Sequence, residues 1–198
     1  MLFLINEKLR RLSNIDATYI NIFGIVRIEM GAFGNLFLLV HFEVEFTLVH
    51  HVNEIKVGTY ALNDYFVLKL GHCTLKDCAA RVIATVVSDV VSGQVIIDAG
   101  SKTLSAKQLL RHENLEMGYI PEYPEARIFR LHEEHGWVDV SQCVNPPRIG
   151  QPLSIVPVNV ALCINLFDEF YFYTNDGTLK KEKVDARGLG STMDNYSY

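Results

Sequence analysis

No stretch of this 198-residue chain approaches the roughly 18 uninterrupted apolar residues that a membrane-crossing helix needs. The best run, Leu36 to Val40, is ended by His41, Glu43 and Glu45. Met1 to Arg11 has neither a basic leader nor a long apolar core with a small-residue cleavage site, so it does not read as a signal peptide. The expected compartment is the cytoplasm. Positive charge is in deficit: 18 Lys and Arg against 23 Asp and Glu give a net charge of −5 and a pI near 5.8. A surface that phosphate backbones seek is basic, which argues against nucleic acid as a partner. Cysteine is scarce, with four in all. Cys73 and Cys78 are separated by four residues, while Cys143 and Cys163 stand alone. Structural zinc usually needs two close Cys/His pairs, so buried free thiols are the plainer reading. No Ser/His/Asp set stands out by spacing, and none of the seven histidines is followed two residues later by lysine.

What remains is a globular composition, 49% hydrophobic and 21% charged. Residues 1–50 are rich in Phe, Ile and Leu and hold no proline. Within them, residues 7–12 could make a short helix, residues 31–35 a turn, and the alternation from Phe42 to Leu48 a half-buried strand. From residue 52 onward short strands dominate. Expected strands are 56–62, 65–70, 80–91, 94–98, 126–132, 136–140, 153–156, 160–165, 169–174 and 179–186. Ser92-Gly93 and Asn175-Asp-Gly177 are hairpin signals, and Pro146-Pro147 marks a loop. Residues 105–111 read as one or two helical turns. Regular strand spacing with turn signals predicts a mainly β fold, a barrel or sandwich. The expected division is an N-terminal segment over 1–50, a β-domain over 51–190 and a flexible tail over 191–198.

Several clusters are candidate sites, each with a plainer alternative. His132-Glu-Glu-His135 would share a face in a helix but not in a strand, and its surroundings read as strand and turn. Asp98-Ala-Gly-Ser-Lys102 follows an apolar strand, as sites often do, or is a tight turn with its glycine at positive φ. Tyr60 lies near Asn63 and Asp64, as a proton donor, a phosphate-holding phenol or a half-buried strand aromatic. Asn159, a lone polar residue in an apolar run after Pro157, faces a ligand or braces a bulge. Tyr60, His132, His135 and Asn159 are the candidate ligand-facing residues.

Taken in order, these segments carry a resemblance. The run Val52-Asn-Glu-Ile-Lys-Val-Gly-Thr-Tyr-Ala-Leu-Asn-Asp64 is followed by Gly71-His-Cys-Thr-Leu-Lys-Asp-Cys-Ala79 and Val82-Ile-Ala-Thr-Val-Val-Ser88. Then come Val95 to Ser105 with its Asp-Ala-Gly-Ser-Lys core, Glu133-Glu-His-Gly136, Gly150 to Pro157, Asn165-Leu-Phe-Asp-Glu169 and Asp185-Ala-Arg-Gly188. Over about residues 52–190 this resembles the C-terminal part of the D-threonine aldolase and D-serine dehydratase family. The resemblance implies an alanine racemase-like architecture, in which an N-terminal (β/α)₈ barrel precedes the β-domain matched here. It implies pyridoxal phosphate held on a barrel lysine as an electron sink at the amino-acid Cα, and a divalent metal held from the β-domain. Partners would be a (β/α)₈ barrel or a second copy, and the substrate a small D-amino acid.

Two departures qualify that expectation. The cofactor lysine of the family sits in a barrel His-x-Lys-Thr context, which this sequence does not contain. The family's metal ligands follow the proline as His-x-Cys or His-x-Asp, and counting from Pro157 to Asn165 places Asn159 and Ala161 there. Asn is a poor zinc ligand and Ala is none. The expected function is the β-domain of a pyridoxal-phosphate-dependent D-amino-acid lyase or aldolase, truncated and inactive alone. The alternative is a non-catalytic binding or structural module with neither cofactor nor metal.

Overall fold

A computed structural model describes residues 2–6, 26–28, 36–38, 59–111, 114–174, 176–185 and 187–188. The expected helix over 7–12, turn over 31–35, strand over 42–48 and tail over 191–198 lie outside those residues. Three short strands come first: β1 (Leu2–Asn6), β2 (Val26–Ile28) and β3 (Leu36–Leu38). A 3₁₀ turn at Thr59–Ala61 leads to α1 (Tyr65–Lys69). Next follow β4 (Ala80–Ser88), β5 (Gln94–Ile97), α2 (Ser101–Leu104), β6 (Leu109–Arg111) and β7 (Asn114–Glu116). The chain continues through β8 (Arg127–Leu131), β9 (Gly136–Asp139), β10 (Pro152–Ile155), α3 (Val160–Ile164), β11 (Glu169–Tyr173) and β12 (Leu179–Lys183).

Among the described residues, eight strands form the main sheet in the order β12-β11-β1-β4-β5-β9-β8, with β10 also paired to β4. The mainly β expectation holds, as a strongly connected sheet. Strand β4 is its axis: β1 pairs Ala80–Ile83, β10 pairs Val82–Thr85, and β5 pairs Val86 and Ser88. Leu2–Asn6 therefore belongs to the main sheet, running parallel to β11 and antiparallel to β4. The two-residue period of a strand puts Ala80, Val82, Ala84 and Val86 inside. Their partners are buried too: Leu153 faces Ala84 and Ile155 faces Val82. Val95, Val138 and Ile128 form one buried row across β5, β9 and β8. At the other edge, β12 is Leu-Lys-Lys-Glu-Lys with every side chain exposed, a charged rim that discourages further strand addition.

Five local expectations change. The strands expected over 65–70 and 160–165 are instead the helices Tyr65–Lys69 and Val160–Ile164, because Asp64 and Asn159 cap them. Thr59–Ala61, expected within a strand, is a 3₁₀ turn closed by Leu62 N and Asn63 N donating to Thr59 O. The helical turn expected at 105–111 lies earlier, at 101–104. Ser105 at φ 66° ends it, and the chain then extends into the β6–β7 hairpin. Gly100 is not at positive φ but at −113°, so a different constraint holds it.

Candidate functional site

Asp64 is the node from which the candidate site is built. Its side chain is almost fully buried, at 1% exposure. One carboxylate oxygen accepts from Val67 N at 3.0 Å and caps α1; the other accepts from Val160 N at 3.1 Å, in the first turn of α3. Backbone bonds run alongside, from Tyr65 N to Pro157 O at 3.0 Å and Phe66 N to Val158 O at 3.4 Å. One side chain thus joins two helix starts that lie far apart in sequence. Burial pushes its pKa above the ordinary 3.8, opposed by the amide hydrogen bonds. Asn159 caps α3 itself, its Oδ1 accepting from Leu162 N at 2.9 Å.

Helix α3 leads onward to a second junction. Cys163 Sγ donates to Thr103 O at 3.1 Å, fixing α3 against α2. Deep burial pushes that thiol up to about 12, so it stays protonated. The start of α2 in turn sits on the β8–β9 turn. Ser101 N donates to His132 O at 2.7 Å and Lys102 N to Glu133 O at 3.1 Å. A Cβ at Gly100 would lie 2.3 Å from Glu133 O and 2.4 Å from His132 O. A Cβ at Gly136 would lie 2.7 Å from Ala99 O. Close backbone crossing is what demands glycine at both places. The Asp-Ala-Gly-Ser-Lys and Glu-Glu-His-Gly segments are therefore two halves of one interlock, closed outside by a Lys102–Glu134 ion pair at 2.6 Å.

The candidate residues fall into two groups joined through α2 and α3. Tyr60 lies in the 3₁₀ turn that leads to Asp64, and Asn159 lies beside Val160, which Asp64 holds. His132 and His135 form the exposed β8–β9 turn, with His132 N donating to His135 O at 2.9 Å. The His132 ring stands over Trp137 at 4.4 Å, and Arg130 packs on the same indole at 5.4 Å.

The donor set at the expected metal positions does not suit a divalent ion. Asn159 Oδ1 is engaged in its helix cap, and Ala161 offers no donor. Among the described residues, no three His, Cys, Asp or Glu side chains are grouped to hold a metal. Lys102 does not suit a covalent cofactor either, since its exposed ammonium is paired with Glu134. Among the described residues no helix is long and apolar enough to cross a membrane.

A polar cluster escaped the reading of the sequence. The Tyr65 hydroxyl donates to Glu116 Oε2, both residues are buried, and Tyr65 stacks on Tyr119 at 5.2 Å. Glu116 lies 51 positions from Tyr65, on a strand too short to show a period. The available signal was the Asp-Tyr pair itself, an N-cap before an aromatic.

The family model described as "Putative serine dehydratase domain" matches residues 79–173, from just before β4 to the end of β11. An uncharacterized protein of Mycobacterium tuberculosis H37Rv is 34% identical over 131 residues, covering 64% of this chain and 97% of that protein. The D-serine dehydratase of Dictyostelium discoideum is 28% identical over 141 residues, covering 65% of this chain but 35% of that enzyme. The crystal structure of D-threonine aldolase from Filomicrobium marinum superposes with a TM-score of 0.53 at 29% identity, covering 69% of this chain and 36% of the aldolase. The chain thus spans little more than a third of either enzyme, yet nearly all of the mycobacterial relative. These similarities agree: the chain belongs to the D-serine dehydratase and D-threonine aldolase family, and what it shares with those enzymes is their C-terminal region.

Proposed function

We propose that this chain is the β-domain of a pyridoxal-phosphate-dependent D-amino-acid lyase or aldolase, inactive alone and completed by a (β/α)₈ barrel supplied by a partner. The observation that carries this reading is the interlock of Gly100–Lys102 with His132–Gly136. It keeps the family's ordered motifs as a folded unit in a chain without the His-x-Lys-Thr segment. When bound in the barrel, pyridoxal phosphate supplies an electron sink for charge at the amino-acid Cα. The contribution of this chain is positional: Asp64 fixes α1 and α3, and through them the turn that carries Tyr60. Because Asn159 and Ala161 offer no metal-binding pair, chemistry in the completed site does not use a metal held there. The same reading places the protein in the cytoplasm. The test is to mix the chain with a matching barrel chain and pyridoxal phosphate, then follow D-threonine cleavage and D-serine deamination. Turnover that requires both chains supports the reading; complex formation without turnover of either substrate contradicts it.

A second reading, a binding or structural module without chemistry, is favoured by Asn159 acting as a helix cap where relatives would place a ligand. It expects a folded chain, monomeric or homodimeric, that takes up neither metal nor cofactor. Stoichiometric zinc or manganese by elemental analysis would contradict it.

A further inference from the structure

Cys73 and Cys78 face each other across a turn that is held shut. Asp77 N donates to Thr74 O at 3.0 Å, while the Asp77 carboxylate accepts from Thr74 N at 2.8 Å and from the Thr74 hydroxyl at 2.7 Å. Arg81 adds a clamp, its guanidinium donating to Leu75 O at 3.1 Å, to Ala80 O at 3.0 Å and to Cys78 O. The two sulfurs end 3.8 Å apart, with both thiols free. Cys78 is buried at 3% exposure, whereas Cys73 is partly open to solvent. A disulfide needs its sulfurs at about 2.05 Å, so closure takes a side-chain rotation and a small loop adjustment.

We infer that Cys73 and Cys78 are a redox dithiol that closes to an intramolecular disulfide on reaction with a small-molecule disulfide of the glutathione type. The partly exposed Cys73 reacts first. Its thiolate attacks one sulfur of oxidised glutathione, forming a mixed disulfide and expelling one glutathione thiolate, which takes up a proton. The Cys78 sulfur, already adjacent, then attacks the Cys73 sulfur and expels the second glutathione. Two protein thiols are oxidised to one disulfide, and one glutathione disulfide is reduced to two thiols. Burial pushes the Cys78 thiol up to about 12 and raises Cys73 as well. Both closing and reopening are therefore slow near neutral pH and faster in mild alkali.

The pair lies directly behind the Asp64 node. Cys78 Sγ is within 3.7 Å of Asp64 O and 3.8 Å of Thr74 O, and oxidation removes the thiol proton that either contact uses. The loop that carries the dithiol is thus tied to the residue that holds α1 and α3. Neither cysteine belongs to the residues invoked above for cofactor or metal, so this chemistry holds whether or not a barrel is completed.

The test uses the full chain and oxidised glutathione in mild alkali, quenched with acid and alkylated while unfolded. The expected product is lighter by two hydrogens and carries no glutathione at residues 73 or 78. Trypsin cuts after Lys76, so peptides Leu70–Lys76 and Asp77–Arg81 should stay joined until a reductant is added. The Cys78→Ala variant should stop at a stable glutathione adduct on Cys73. Glutathione retained on Cys73 in the parent chain, or both cysteines alkylated as in untreated protein, would overturn the inference. So would the same two-hydrogen loss in Cys78→Ala.

Discussion

Replacing Asp64 by alanine is the sharpest perturbation of this fold. The change removes the acceptor for Val67 N and the acceptor for Val160 N together. Loss of an N-cap costs about 1 kcal/mol. A buried amide left without an acceptor adds about 1–3 kcal/mol. Part of this is offset, because burial of the carboxylate is itself unfavourable and is the leading cause of its raised pKa. The net expectation is a loss of about 2–3 kcal/mol. With a urea dependence of about 2 kcal/mol/M, the midpoint should fall by roughly 1 M with unchanged slope. Asp64→Asn keeps one carbonyl oxygen for Val67 N but turns an amide donor toward Val160 N, so it should lose about half as much. The pH dependence has a definite sign. A carboxyl whose native pKa lies above its ordinary 3.8 binds its proton more tightly in the folded chain. Its contribution to stability is greatest at low pH and falls as pH rises from 3.8 through the native pKa, then levels. The gap between the parent chain and Asp64→Asn should therefore widen as pH is lowered toward 3.8. An Asp64→Ala midpoint within about 0.5 kcal/mol of the parent would refute the reasoning.

Other substitutions probe the remaining parts. Asn159→Ala should cost about 1 kcal/mol and Asn159→Asp little, because the cap on Leu162 N needs only a side-chain oxygen; chemical denaturation of both variants checks this. Gly100→Ala forces backbone apart at Glu133 and should cost about 3 kcal/mol or prevent folding. Gly150→Ala has open space around it and should pay only for its φ of +84°, about 1 kcal/mol. Thermal melts of the pair separate close approach from backbone strain. Lys102→Ala breaks only the exposed pair with Glu134 and should leave the melting temperature unchanged.

The sheet was legible because its physics is local. The β-branched run from Ala80, which pairs as far as Ser88, the Ser92-Gly93 turn with Gly93 at φ +76°, and the charged β12 each announce themselves within a few residues. The short helices were not. Tyr65-Phe-Val-Leu-Lys69 and Val160-Ala-Leu-Cys-Ile164 are five residues long and apolar but for Lys69, too brief to show whether their period is 2 or 3.6. What decides them is a single capping side chain before each. For Asp64 the second bond reaches a residue 96 positions away, which no window can see. The candidate residues followed the same divide. His132 and His135 fell on a solvated turn, as their surroundings suggested. Asn159 proved to be a cap, a role neither of its two earlier readings contained. Gly100 was singled out correctly as special, but its constraint is a crossing backbone and not a positive φ.

The central claim is that this chain supplies a β-domain and that its cofactor lysine comes from elsewhere. The most direct measurement is addition of pyridoxal phosphate, borohydride reduction and intact-mass analysis of the purified chain. The account predicts no stoichiometric adduct, only scattered low-level labelling of surface lysines such as Lys180 and Lys183. A single adduct at one lysine in full yield would show that the chain holds the cofactor by itself and would contradict the account.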